Sequence, residues 1–144
     1  MCAADTRRSG APHSPDIAWR AVWLGYGAAL VATLIATGWG LYFAGAGMWW
    51  VAGWGTGFLF AAGFWAGYRA RDPEPLNGAF IAVLYCATLI LVVFAGEFFV
   101  LLPDPLPGLP RGDSTFFFVW PLAQLAASTL GAVLGGALAQ RRSI

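Results

Sequence analysis

The sequence predicts an all-α polytopic membrane protein, folded as an antiparallel bundle of four transmembrane helices. Hydrophobic residues make up 59% of the 144 residues and charged residues only 10%, whereas soluble domains average about 45–50% and about 25%. Four separate stretches also reach the roughly 20 apolar residues that a helix needs to cross a bilayer. So few charged side chains cannot cover the surface of a soluble protein of this size. The composition therefore excludes a soluble enzyme and a nucleic-acid-binding domain.

The chain divides into a short polar tail and one membrane domain. Residues 1–15 are polar, and we expect them to form a disordered cytoplasmic tail before the domain at residues 16–144. The four predicted spans cover residues 17–43, 48–68, 76–102 and 114–140. Charges and helix breakers mark their ends, because Pro73 closely follows the second span, Pro103 the third and Arg141 the fourth.

The arginines predict the orientation of these spans. With the N-terminus inside, seven of the eight basic residues are cytoplasmic and only Arg111 is external. An excess of basic residues in cytoplasmic loops is typical of membrane proteins. We therefore expect a multi-pass protein of the cytoplasmic (inner) membrane, with both termini in the cytoplasm and residues 103–113 outside.

Small residues at four-residue spacing indicate where the helices pack, because lipid tails leave no hydrophobic force between transmembrane helices. The predicted packing positions are Gly53, Gly57, Gly63 and Gly67 on the second span and Gly131 and Gly135 on the fourth. These helices carry small residues on more than one face. The pattern predicts close packing within one bundle and leaves open a contact with a second copy or a larger membrane complex.

The second and fourth spans have similar ends. Each closes a glycine-rich segment with an arginine, from Gly63 to Arg69 in one and from Gly135 to Arg141 in the other. Two hairpins related as a parallel repeat would produce this likeness. Convergence on residues that are common in membrane helices is the alternative that we favour.

Placing a polar side chain inside the membrane costs free energy, so polar residues within a span are candidates for function. Glu97 is the only acid in any predicted span and lies near the outer end of the third. Gln124 lies on the fourth span with Ser128 one turn below it, and Pro121 loosens the preceding turn by removing a backbone donor. These residues are candidates for a polar patch in which Glu97 faces Gln124 and binds a proton or cation. The structural alternative, which we favour, is that Glu97 turns outward toward Arg111 and that Gln124 joins the helices.

The residue patterns of metal, cofactor and catalytic sites do not occur. His13 is the only histidine, and Cys2 and Cys86 are far apart along the chain. One histidine cannot build a metal or haem site, and the spacings of catalytic serine, cysteine–histidine and phosphate-loop motifs are missing. We therefore expect no enzymatic activity, no metal and no cofactor.

Parts of the sequence resemble a group of known proteins. The relevant runs are Ala66-Gly67-Tyr68-Arg69-Ala70-Arg71, Leu76-Asn77-Gly78-Ala79-Phe80 and the closing glycines from Gly131 to Gly136. They are similar to runs in small glycine-rich four-helix bacterial membrane proteins of unknown function. The resemblance covers the chain from the second half of the second span onward, and it implies topology and location but no activity.

Two functions are compatible with this composition. Many packing stripes and few chemical groups favour a non-enzymatic accessory, assembly or structural subunit. Its partners would be the lipid bilayer and either further copies or a larger membrane complex, with no nucleic acid. The alternative is a small proton- or cation-coupled transporter or channel that uses Glu97 and Gln124.

Overall fold

The computed structural model describes residues 17–43, 48–71, 74–98 and 114–142, which form four α-helices. The helices are α1 (Trp19–Tyr42), α2 (Met48–Ala70), α3 (Pro75–Phe98) and α4 (Ser114–Arg141). No strand occurs in these ranges, so the all-α prediction is confirmed for this part of the chain. The predicted tail and the predicted outer loop lie outside the described residues.

The helix ends agree with the predicted spans to within four residues. α1 begins at Trp19, two residues later than predicted, and the N–H of the preceding Ala18 donates to Asn77 Oδ1 on α3 at 3.1 Å. α3 begins at Pro75, because proline suits the first helical position, where the backbone N–H has no partner within the helix. Its described part ends at Phe98, and residues 99–102 of the predicted span lie outside the described residues.

Three of the four helices are long and apolar enough to cross a membrane. Their apolar windows are Trp19–Gly40, Pro75–Val92 and Phe118–Arg141. α2 is not among them, although it has 23 residues. Its five glycines and four tryptophans contribute little hydropathy, since glycine has no side chain and tryptophan carries a polar N–H. The described helices therefore indicate a membrane protein with three candidate spans.

Most of the buried side chains are small, whereas most of the large apolar side chains are exposed. Most of the buried hydrophobic residues are alanines. The buried polar residues are Thr33, Asn77, Gln124 and Ser128. Apart from the buried Leu59 and Ile81, many leucines and isoleucines are on the outside, and Ile35 is 68% exposed. A soluble protein buries such side chains to remove them from water. The reverse arrangement is typical of a protein whose exterior contacts lipid.

α2 is the central helix of the described chain. It contacts each of the other three helices, and its interface with α4 is the most extensive. α3 also contacts α1 and α4, whereas α1 and α4 do not touch each other within the described ranges. The packing around α2 therefore determines where interior groups meet.

The contacting pairs show the directions of the helices. Between α2 and α4 the pairs include Gly63 with Ser128 and Gly67 with Ala132, and between α3 and α4 they include Gly78 with Ser128 and Cys86 with Gln124. Residue numbers rise together in the first set, so α2 and α4 run parallel. They change in opposite senses in the second set, so α3 and α4 are antiparallel.

Candidate functional site

Glycines bring the backbones of α2 and α4 into direct contact. Each of four glycines lies against a backbone carbonyl of the opposite helix. The pairs are Gly63 with Ser128, Gly67 with Ala132, Gly131 with Phe60 and Gly135 with Phe64. A Cβ atom at any of the four glycines would overlap the carbonyl oxygen, so this approach depends on the missing side chains. Each glycine Cα–H points toward a carbonyl, as in the weak Cα–H···O bonds that recur at helix interfaces.

The two sides of this interface are equivalent. When Gly63 is matched with Gly131 and Gly67 with Gly135, each glycine meets the carbonyl three residues before its counterpart on the other helix. α2 and α4 are thus related by a local two-fold axis, as in a parallel pair of like helices. The other helices follow this symmetry in part, because α1 contacts α2 as α3 contacts α4, whereas the contact of α2 with α3 has no counterpart between α1 and α4 in the described chain. Convergence, the alternative that we favour for the likeness of the two helix ends, stays a prediction.

Gly53 and Gly57 do not belong to this interface. Both are exposed, and a Cβ atom built at either position meets no atom of the described residues within 4 Å. With Ala61, which is also exposed, they form a row at four-residue spacing that we call the exposed glycine ridge. The expectation that Gly53 and Gly57 pack within the bundle is corrected accordingly. Gly55, which lies between them, takes the buried position instead.

Polar side chains from three helices meet beside α2 in the protein interior. We call this group the Gln124 cluster, and it consists of Thr33 on α1, Gly55 on α2, Tyr85 and Cys86 on α3, and Gln124 on α4. Tyr85 Oη donates to Thr33 Oγ1 at 2.9 Å, and Cys86 Sγ donates to Gln124 Oε1 at 3.2 Å. Tyr85 and Gln124 are fully buried. The cluster therefore links α1 to α3 and α3 to α4 through hydrogen bonds between helices.

The Gln124 cluster contains an unpaired amide nitrogen. Gln124 Nε2 is buried and has no hydrogen-bond partner among the described residues, a property that it shares with Asn77 Nδ2 on α3. A Cβ atom on Gly55 would lie 3.3 Å from this nitrogen and 2.7 Å from Tyr85 Oη, so the missing side chain makes room for both. An unpaired buried donor costs about 1–3 kcal/mol, and native interiors contain few of them. The Gln124 cluster is therefore a candidate site for a small hydrogen-bond acceptor.

The backbone of Glu97 lies in α3, and its side chain is outside the described residues. Glu97 follows Cys86, the partner of Gln124, by eleven residues, which is about 16 Å along a helix that rises 1.5 Å per residue. In the described chain Gln124 therefore meets Cys86, and the juxtaposition of Glu97 with Gln124 stays a prediction.

Ser128 serves a different contact from Gln124, although one helical turn separates them. Its hydroxyl donates to the carbonyl of Gly78 at 2.8 Å, and its own carbonyl faces Gly63 and Gly78. α2, α3 and α4 thus meet at this fully buried residue. Ser128 packs and bonds the helices together, and it shares none of its bonding partners with Gln124.

Sequence reasoning missed Thr33, Gly55, Tyr85 and Cys86. A search for polar residues in the middle of every span would have found Thr33 and Tyr85, because both lie well inside their helices. No signal in the sequence distinguishes Gly55 from the other glycines of α2. The role of Cys86 depends on the register between α3 and α4, which the sequence does not reveal.

Neither a metal centre nor a known relative accounts for these features. In the part of the chain that the structure describes, no three His, Cys, Asp or Glu side chains gather to hold a metal ion. The chain matches no family model, no curated protein and no solved structure. The resemblance to small glycine-rich four-helix membrane proteins therefore stays a prediction, and function has to be inferred from the geometry.

Proposed function

We propose that this chain is a non-enzymatic accessory, assembly or structural subunit of the cytoplasmic membrane. In this proposal it forms an antiparallel bundle of four spans and docks a transmembrane helix of a partner on the exposed glycine ridge. The partner is either a second copy or a subunit of a larger membrane complex. Three observations support the proposal: α2 lies beside the apolar part of α4, arginines lie at the same end of both helices, and the ridge is exposed.

The contact with α4 supports a fourth span. α2 runs parallel to α4 and touches it from Phe60 to Gly67, while the opposing residues 128–135 lie inside the apolar window Phe118–Arg141. Two parallel helices in contact over this length occupy the same depth. α2 therefore crosses the membrane beside α4, although hydropathy alone does not select it.

The arginines support the orientation. Arg69 lies in the last turn of α2, and Arg71 directly follows this helix. Arg141 is the last residue of α4, and Arg142 follows it. Because α2 and α4 are parallel, all four lie at the same end of the protein. By the positive-inside rule this end is cytoplasmic, and both termini are cytoplasmic with it.

The exposed glycine ridge carries the functional proposal. A glycine within a helix is less stable than alanine by about 0.5–1 kcal/mol, and Gly53 and Gly57 gain no contact within the described chain in return. The same spacing at Gly63 and Gly67 admits α4 to backbone contact. A partner helix with small residues of its own fits against the ridge in the same way.

Aromatic rings line one side of the ridge. Trp50, Trp54 and Phe58 form a continuous row along α2: the rings of Trp50 and Trp54 meet edge to face with centroids 5.6 Å apart, and those of Trp54 and Phe58 stack at 5.7 Å. Trp50 is 43% exposed and Trp54 46%. Exposed tryptophans are enriched at protein interfaces as well as at membrane surfaces. A smooth glycine row beside a rigid aromatic wall has the shape of a helix-docking surface and offers no group for catalysis.

Leucine substitutions on the ridge test this proposal. Gly53→Leu with Gly57→Leu fills the ridge, and Gly27→Leu with Gly38→Leu on α1 is the matched control, because a Cβ at all four positions meets nothing within 4 Å. Each tagged protein is isolated in mild detergent, and its mass and co-purifying proteins are measured by mass spectrometry. We expect the wild type and the α1 control to retain a partner or a defined oligomer. The ridge variant should be a monomer that melts no lower than the α1 control, because each variant replaces two glycines within a helix.

Two results would contradict docking on the ridge. One is a wild-type protein that is a monodisperse monomer with no partner. The other is a ridge variant that keeps the same partner or oligomer as the α1 control.

Transport of protons or cations is a second candidate function, which the Gln124 cluster favours. A polar group inside the membrane is a functional candidate by default, and Gln124 Nε2 has no partner. Glu97 would act separately, because it lies about 16 Å from Cys86 along α3. Proteoliposomes test this function directly: Gln124→Met should abolish a flux that the wild type shows. Proteoliposomes without wild-type flux for protons, sodium or potassium would exclude it.

A further inference from the structure

A pocket opens between the last turns of α2 and α4, on a different surface from the exposed glycine ridge. Its volume is about 330 Å³, and it is lined by Tyr68, Arg71, Ala139 and Arg142. The two helices are parallel, so both of their C-terminal ends meet here. Two guanidinium groups and a phenol form its polar walls, and the small alanine side chain leaves space between them.

Positive charge is in excess at this end of the protein. Arg69, Arg71, Arg141 and Arg142 lie together, and none of them forms an ion pair with another described residue. Arg142 Nη1 instead faces the neutral hydroxyl of Tyr68, at 3.4 Å. Each helix C-terminus offsets about half a positive charge. The segment that joins α2 to α3 also carries the carboxylates of Asp72 and Glu74, so four arginines, two acids and two helix C-termini leave a surplus of about one positive charge at this end.

Arg71 occupies a position that favours glycine. α2 ends at Ala70, and the backbone of Arg71 is left-handed, with a φ of 56°. Residues with a side chain pay about 1–2 kcal/mol for this conformation, which is why glycine is common directly after a helix. An arginine occupies this position nevertheless, and its side chain lines the pocket.

The surface that leads from the membrane to this pocket is apolar. Leu134, Leu138 and Arg142 form a row at four-residue spacing on α4, and the two leucines are 52% and 39% exposed. Leu134 and Leu138 lie in the apolar window of α4, Phe118–Arg141, and Arg142 lies just beyond it. A ligand along the row meets hydrocarbon at one end and guanidinium groups at the other.

We propose that this pocket binds the phosphate group of an anionic glycerophospholipid, with one acyl chain along Leu134 and Leu138. Guanidinium groups bind phosphate oxygens through paired hydrogen bonds, which lysine cannot form. Basic pockets between transmembrane helices on the cytoplasmic side are known to take up anionic head groups. The leucines distinguish a lipid from free phosphate, because only the lipid has an acyl chain to cover them.

Paired arginine variants test the proposal with net charge held equal. Arg71→Gln with Arg142→Gln empties the pocket of charge, and Arg69→Gln with Arg141→Gln removes the same charge from the same helix ends outside the pocket lining. The full-length protein is titrated in detergent with dioctanoyl phosphatidylglycerol, dioctanoyl phosphatidylcholine and inorganic phosphate, and binding is followed by native mass spectrometry. We expect one tightly bound phosphatidylglycerol and at least tenfold weaker binding of the other two ligands. The pocket pair should lose at least tenfold in affinity for phosphatidylglycerol, and the control pair less than threefold.

A further paired variant distinguishes the geometry of the guanidinium groups from their charge. Arg71→Lys with Arg142→Lys keeps the charge, so a substantial loss of affinity in this variant supports recognition by guanidinium geometry. A thermal melt of each variant identifies any that fails to fold, and the lysine pair then replaces the glutamine pair as the test. Equal losses in the pocket and control pairs would show attraction by net charge alone and overturn the proposal. Inorganic phosphate that binds as tightly as phosphatidylglycerol would also overturn it.

Discussion

Alanine at Gly67 should destabilise the protein by about 2–3 kcal/mol, because the added methyl group forces α2 away from α4. A Cβ atom at Gly67 overlaps the carbonyl oxygen of Ala132 and lies 2.7 Å from its carbonyl carbon. Moving the carbonyl carbon to an ordinary contact of 3.4 Å takes about 0.7 Å of helix separation, and the carbonyl oxygen, which is nearer, requires more, since both atoms are backbone. Overpacking of this kind costs about 1–3 kcal/mol, and each loosened Cα–H···O contact adds about 0.5–1 kcal/mol.

Gly57→Ala is the matched control on the same helix. Its methyl group meets nothing in the described chain, so only the gain of about 0.5–1 kcal/mol in helix stability remains. Reversible unfolding of the detergent-solubilised protein with sodium dodecyl sulfate measures both free energies of unfolding. The two substitutions are chemically identical and should change stability in opposite directions. Gly67→Ala that is neutral, or as stabilising as Gly57→Ala, would refute the proposed backbone contact.

Three further predictions concern the interior and the topology. Tyr85→Phe removes the hydrogen bond to Thr33 and should lower the free energy of unfolding by about 0.6 kcal/mol, the mean for hydrogen bonds between membrane helices; no change would mean that the bond contributes nothing. Gln124→Met should leave the melting temperature unchanged or raise it, because it removes a buried amide nitrogen that has no partner; a strong loss of stability would show that the amide is satisfied. In a cysteine-free background, an impermeant maleimide should label Gly108→Cys in intact cells and Ser143→Cys only after lysis; the reverse pattern would invert the topology.

The helices could be predicted from the sequence because the bilayer restricts what a chain can do. Backbone groups within lipid must be satisfied inside the segment, so long apolar runs form helices. Proline and arginine then mark where these runs stop. The predicted ends of α2, at residues 48 and 68, lie within two residues of the observed Met48 and Ala70.

The choice of packing face could not be predicted for α2. Two rows of small residues have the same spacing, one through Gly53 and Gly57 and the other through Gly63 and Gly67. Ten residues separate Gly53 from Gly63, and at 100° per residue the rows face directions about 80° apart. Only one row can face α4, and nothing in the spacing says which. The structure selects Gly63 and Gly67 and leaves the other row outside.

The polar site depends on register, which the sequence does not contain. Gln124 and Ser128 are both buried, as polar residues in mid-span suggest. The partner of Gln124 depends on how far α3 slides along α4, and the contact of Gly78 with Ser128 sets that position. This register brings Cys86 level with Gln124 and leaves Glu97 three turns away.

Photo-crosslinking from the exposed glycine ridge tests the docking function most directly. A photoreactive amino acid replaces Gly57 in one protein and Gly38 in the other, since a side chain at either position meets no atom of the described chain. Irradiation of intact cells followed by mass spectrometry identifies what lies against each position. Docking on the ridge predicts one adduct of defined mass from position 57, with a transmembrane helix of a partner or of a second copy, and none from position 38. Lipid adducts alone at position 57, or the same protein adduct from both positions, would contradict it.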